Sequence, residues 1–132
     1  MKIPKFETFK GDDGQFYFHL LALNSKLIVP SEGYTTKSMR LKGINAIRRN
    51  APIALIVERG SKGVRSFVKA PKYETFLGEN GQYYFHLLAR NGKLIVPSEG
   101  YTTKAIRIKG INSIKRNAPV AIIVERKQMK LL

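Results

Sequence analysis

The chain has 132 residues, with 24 Lys and Arg against 9 Asp and Glu, a net charge of +15 and a pI near 10.3. It has no cysteine, which excludes a disulfide framework, a thiolate nucleophile and a Cys-based zinc site. No apolar run reaches the roughly 20 residues of a transmembrane helix, and so large a positive field favours polyanions: nucleic acid, an anionic membrane surface or an acidic protein.

Met1 to Lys5 leads straight into structure without a signal-peptide core, so the expected location is the cytoplasm. Lys5–Lys10 reads as a short strand. Gly11-Asp12-Asp13-Gly14 follows, with the Asp-Gly pair that a tight hairpin turn needs. Gln15–Leu23 carries the strongest strand pattern. Phe16, Phe18, Leu20 and Ala22 share one face, and Tyr17, His19, Leu21 and Leu23 the other. Asn24-Ser25 marks a second turn, and Lys26–Val29 a third strand closed by Pro30. Thr35-Thr36 offers a helix N-cap. The helix is expected to run to Asn50, where Ala51-Pro52 stops it. At about 100° per residue, Met39, Gly43, Ile44, Ala46 and Ile47 form one apolar arc. A glycine on that arc suggests that the helix lies close on the sheet. Ile53–Val57 reads as an apolar fourth strand ending at Glu58-Arg59.

All of this then happens again. Residues 5–59 recur as residues 72–126 at an offset of 67, with 41 of 55 positions identical and no gap. The expected fold is α+β: two tandem β-β-β-α-β repeats forming one pseudo-two-fold unit. It has a mainly antiparallel sheet with two helices packed on one face. Residues 1–59 form repeat 1, 60–71 a basic linker, and 72–132 repeat 2 with a short basic tail. Val64–Val68 in the linker could add a short strand. A unit of about 55 residues buries too little surface to stand alone comfortably, so the repeats are expected to share one core.

The runs Gly14-Gln15-Phe16-Tyr17-Phe18, Ser31-Glu32-Gly33-Tyr34-Thr35-Thr36-Lys37 and Lys42-Gly43-Ile44, then Asn50-Ala51, resemble the YegP-like family. Their counterparts at Gly81–Phe85, Ser98–Lys104, Gly110-Ile111 and Asn117-Ala118 carry the resemblance through both repeats. It implies two units of three strands, a helix and a strand, combined in one sheet, with the last strands exchanged between units. It implies no activity, cofactor or catalytic residue. Family members usually carry a small residue where this chain has Arg40 and Arg107, and often an acid where it has Asn45 and Asn112. The segment from Pro52 to Lys72 is longer than the resemblance leads one to expect.

The helices are basic without exception. Lys37, Arg40, Lys42, Arg48 and Arg49 occur with no acid, and the second helix repeats them as Lys104, Arg107, Lys109, Lys115 and Arg116. A merely solvated helix face normally mixes signs, because opposite charges four residues apart stabilise it. These residues are therefore candidates for phosphate contact, with Lys42 and Arg49 on the outer face and Lys37 and Arg48 beside the apolar arc. Arg40 falls inside the arc and must either reach its edge or be held there. Tyr17, His19, Tyr84 and His86 form a possible base-stacking face if the helices leave that side of the sheet bare. The alternative is that the other copy, the linker or the tail covers them.

His19, Ser31 and Glu32 do not make a hydrolase pattern: there is no nucleophile elbow and no oxyanion-hole glycine motif. One His per unit offers no metal site, and the glycines sit in hairpin turns rather than a phosphate-cradling loop. Neither cofactor nor small-molecule substrate is expected. The sequence thus points to a non-enzymatic protein that binds DNA or RNA mainly through backbone phosphates. The alternative is an interaction module docking on an acidic protein surface in a larger assembly, such as a virion or ribonucleoprotein.

Overall fold

A computed structural model describes residues 3–60 and 69–127. The suggested strand at Val64–Val68 lies outside the described residues. The elements run β1 (Lys5–Lys10), β2 (Phe16–Leu21), β3 (Leu27–Pro30), α1 (Lys37–Asn50), β4 (Leu55–Glu58), β5 (Lys72–Leu77), β6 (Tyr83–Leu88), β7 (Leu94–Pro97), α2 (Lys104–Asn117) and β8 (Ile122–Glu125).

β1 and β2 form an antiparallel hairpin across a turn in which Gly14 has φ +81°, a left-handed conformation that favours glycine. β2 ends two residues before the alternation predicts. A bulge between Leu20 and Leu21 shifts its pairing with β3, and Ala22 then closes the second turn through Lys26. That leaves Leu23 in the turn, exposed. Beyond Pro30 the chain keeps following β2. The amide of Phe18 donates to the Ser31 hydroxyl at 2.8 Å, and Phe16 and Tyr34 exchange both backbone hydrogen bonds at 2.8 Å. The Ser31–Tyr34 run is therefore a short edge seam that delivers the chain to the helix. Thr36 caps α1 by accepting from the Met39 amide at 3.1 Å.

Ile44 and Ile47 point α1 into the core, whereas Met39 is half-exposed. Gly43 does mark a close approach, but to Tyr34 rather than to the sheet itself. A β-carbon there would overlap the Tyr34 hydroxyl and lie 2.8 Å from its ring carbon Cζ. The Tyr34 ring in turn stacks on Phe18, with centroids 6.1 Å apart and planes 16° apart. Gly110, Tyr101 and Phe85 repeat this arrangement. The helix thus reaches the sheet through a tyrosine that only a glycine admits.

The strands do not combine in one sheet, as the resemblance implies. They form two four-stranded sheets, β3-β2-β1-β8 and β4-β5-β6-β7. The last strand of each repeat has left its own sheet and pairs, parallel, with the first strand of the other: β8 with β1 and β4 with β5. Each remaining pair is antiparallel. Each helix packs on its own repeat's central strand and touches the other repeat's edge, α1 on β2 and β7, α2 on β6 and β3. One apolar cluster joins both halves, from Phe6, Phe18, Leu20 and Ile44 to Tyr73, Phe85, Leu87 and Ile111.

The exchanged strands are also edges. None of their residues is fully buried; the buried positions are the alanines just before them, Ala54 and Ala121. Ile53 is 64% exposed, Leu55 53% and Ile122 44%. Apolar strands that read as core from composition alone thus sit at the rim. They are held by polar contacts between repeats. The Tyr73 hydroxyl donates to the Ala51 carbonyl at 2.9 Å, Arg48 donates to the Ala121 carbonyl, and Lys115 donates to the Ala54 carbonyl at 2.9 Å.

Three outcomes follow. Gly43→Leu should lose about 1–3 kcal/mol of stability in denaturant melts, and Gly43→Ala should be destabilising too, against the gain expected for an open helix position. Arg48→Ala strands the Ala121 carbonyl and should cost about 1–3 kcal/mol, whereas Arg49→Ala, one residue on, should stay within about 0.5 kcal/mol. Residues 1–60 expressed alone should be unfolded or a homodimer by light scattering; a stable monomer would contradict the exchanged sheets.

Candidate functional site

The structure divides the helix cations into two groups. Arg40 is half-buried; it donates to the carbonyls of Phe9 at 3.3 Å and Tyr17 at 3.5 Å, and its guanidinium lies over the Phe16 ring. Arg107 does the same with Phe76, Tyr84 and Tyr83. Arg48 and Lys115 are committed to the exchanged strands and lie over Phe6 and Tyr73. These side chains, expected from sequence to face phosphates, instead satisfy main-chain acceptors at sheet ends and between repeats. The position of Arg40 inside the apolar arc is explained in the same way.

Lys42, Arg49, Lys109 and Arg116 are exposed and make no hydrogen bond or ion pair among the described residues. Lys37 and Lys104 are exposed at the helix starts, Lys37 near the Phe16 ring. Neither helix contains an acid to offset this charge.

Lys42 and Arg49 stand on the wall of a groove of about 730 Å3 between α1 and the β6–β7 hairpin of the other repeat. Asn45 joins them on the helix side; Asn91, Lys93 and Leu94 face them from the hairpin. Glu32 is the one acid on its wall. It helps hold the Tyr34 hydroxyl above the ordinary phenol range, after the larger effect of burial. Sequence reasoning missed Asn91 and Lys93 because they belong to the other copy. Their one signal was that Lys26 and Lys93 follow the second turn of each repeat at the same place.

The outer sheet faces are neither bare nor core. Tyr17 and His19 are half-buried. Tyr17 stacks on Phe9 at 5.6 Å and His19 meets Phe9 edge-on at 4.8 Å. Arg126, just past the exchanged β8, lies 3.8 Å over Phe9 and pairs with Glu7 at 2.8 Å. Tyr84, His86, Phe76, Arg59 and Glu74 repeat the arrangement, with Arg59 3.9 Å over Phe76. The two copies differ in cover: the Glu74 side chain is fully buried and that of Glu7 is 24% exposed. Burial first, and then the Arg126 guanidinium, holds the His19 imidazole below its usual range, against the opposite pull of Glu7. The rings intended as a stacking platform are thus already stacked on their own sheet and clamped by an arginine.

Ser31 spends its hydroxyl on the Phe18 amide and the Glu32 carbonyl. No group of three or more His, Asp or Glu that could hold a metal ion occurs among the described residues. No helix among them is long and apolar enough to cross a membrane.

Comparison with known proteins matches this architecture. The model of the family described as "Domain of unknown function (DUF1508)" matches twice, at residues 12–58 and 79–125. The UPF0339 protein YegP of Escherichia coli is 37% identical over 112 residues, which is 85% of this chain and 87% of that protein. The UPF0339 protein in the ptx operon 5′ region of Stutzerimonas stutzeri is 35% identical over 120 residues, 91% of this chain and 94% of that one. Among solution NMR structures, E. coli YegP superposes with a TM-score of 0.71 at 32% identity, covering 98% of both chains. The UPF0339 protein SO3888 of Shewanella oneidensis gives 0.70 at 30% identity, covering 95% of this chain and 92% of that one. The tandem β-β-β-α-β architecture and the two matched segments agree, and the chain belongs to the DUF1508 family, the family of YegP, as two fused copies of its domain.

Proposed function

We propose that this chain is a non-enzymatic basic protein that binds nucleic acid through backbone phosphates, with little sequence readout. The observation that carries the reading is the set Lys42, Arg49, Lys109 and Arg116: four exposed cations on two acid-free helices, without a hydrogen bond or ion pair among the described residues. Their neighbours Arg40, Arg48, Arg107 and Lys115 have structural partners that account for them. The four outward cations have none among the described residues, and on a chain of net charge +15 they would release counterions from a phosphate backbone on contact.

A second reading, docking on an acidic protein surface within a larger assembly, draws support from the exposed apolar edges at Leu55, Ile56, Ile122 and Ile123. An unpaired apolar edge strand is a template for an added strand.

Replacing Lys42, Arg49, Lys109 and Arg116 together with Gln should leave the melting curve nearly unchanged. It should weaken binding to unrelated nucleic-acid sequences about equally. The slope of log K against log salt should flatten by up to about 0.9 per lost phosphate contact, roughly 3–4 units at most. A change in sequence preference would mean that these side chains reach base edges. Absence of salt-dependent affinity of the unmodified chain for any DNA or RNA at low ionic strength rejects the reading and leaves the acidic protein surface as the better account of the charge.

A further inference from the structure

The groove between α1 and the β6–β7 hairpin has a shape that phosphate contact alone does not call for. A duplex keeps its bases paired inside and presents phosphates on a convex surface, which exposed lysines on a helix can meet without any concavity. Here the cations stand on the wall of a hollow of about 730 Å3, within the size range of sites that enclose small organic ligands. Met39, Ala46, Leu94 and Ile95 make its apolar surface, a lining that suits a flat ring more than a phosphate. Above that surface, Lys42 and Arg49 from one repeat face Lys93 from the other.

Besides the cations, the Glu32 carboxylate and the Tyr34 hydroxyl, the polar groups on the groove wall are carboxamides. Asn45 lies half-buried on the groove wall, and among the described residues its side-chain amide has no hydrogen-bond partner. The Asn91 carbonyl oxygen accepts from the Lys93 amide at 2.9 Å, which leaves its NH2 free. Side-chain amides present a donor and an acceptor together, the pattern that matches the edge of an unpaired base. The repeat supplies the same residue types again: Asn112, Lys109 and Arg116 on α2, with Asn24 and Lys26 in the other hairpin, and α2 packs against β3 as α1 packs against β7.

Resting on the nucleic-acid reading above, we infer that this groove takes an unpaired nucleotide of a single-stranded nucleic acid. The base lies against the aliphatic surface between Asn45 and Asn91, and the flanking phosphates are held by Lys42, Arg49 and Lys93. The pseudo-two-fold offers a second such position on the same strand. The binding preference is therefore for single strands over duplexes, with bases contributing through contact area and amide hydrogen bonds.

The test is fluorescence anisotropy at one low ionic strength with three labelled probes: a 12-nucleotide oligothymidylate, an abasic strand of the same length and charge, and a 12-base-pair duplex. The oligothymidylate should bind about tenfold more tightly than the abasic strand and more tightly than the duplex. Lys93 makes no side-chain hydrogen bond or ion pair among the described residues, so Lys93→Gln should weaken the single strand several-fold and the duplex hardly at all, with an unchanged melting temperature. Equal affinity for the abasic and base-bearing strands, or tighter duplex binding, overturns the groove inference and leaves phosphate binding by the helices standing. Equal weakening of both forms by Lys93→Gln has the same meaning. Failure of all three probes to bind overturns the groove inference and the nucleic-acid reading together.

Discussion

The joining of the two repeats into one molecule depends on the exchange of the last strand of each repeat. A repeat of about 55 residues encloses only a marginal core by itself. Sending β4 to β5 and β8 to β1 makes each sheet a joint product of both halves. The exchange is anchored at three kinds of site: parallel pairing along four residues, a Tyr, Arg or Lys reaching across to a main-chain carbonyl, and an arginine just past each exchanged strand lying over a phenylalanine and paired with a glutamate. The last of these explains why Arg59 and Arg126 both follow Ile-Val-Glu. Each clamps the sheet that its strand has joined.

The exchange also accounts for how the positive charge is spent. Hydrogen bonds from charged donors are worth more than neutral ones, about 1.5–3 kcal/mol, and losing one from a partly buried carbonyl leaves that acceptor stranded. Arg48 and Lys115 are therefore part of the joint between repeats, and Arg40 and Arg107 serve the strand ends beneath the helix starts. Lys42, Arg49, Lys109 and Arg116 have no such employment among the described residues. Two chemically similar neighbours, Arg48 and Arg49, differ by 100° around the helix, and that angle separates a structural role from a surface one.

The local structure was legible because its signals are local. The hairpin glycine at Gly14, the cap at Thr36 and the stop at Ala51-Pro52 lie where short-range backbone chemistry puts them. So does the division of β2 into an inward Phe18 and Leu20 and an outward Tyr17 and His19. The exchange of strands was legible only through family resemblance, since β4 reads identically whichever sheet it joins. What could not be read were features that need two copies at once. Leu55 and Ile56 look like core residues in isolation and are exposed because β4 is the edge of a foreign sheet. Lys93 looks like a turn residue until α1 of the other repeat is placed beside it. Gly43 carried a true signal of close approach, but its neighbour, Tyr34, comes from the seam before the helix rather than from a strand.

The pairing of β1 with β8 has a consequence for how the chain comes into being. Glu7 and Arg126 are separated by 119 positions along the sequence, so β1 is completed by a strand synthesised long after it. Until then β1 has one side without its native neighbour, and β4 has emerged before the strand it joins. Loop closure over such a separation must precede any reward from the contacts it creates. The first sheet is therefore finished only once β8 has emerged, and in the interval the apolar segments that later form the rims are open to any chain nearby. The near-identity of the two repeats sharpens this exposure, because a neighbouring nascent copy carries the same strand, in the same register, that β1 is waiting for.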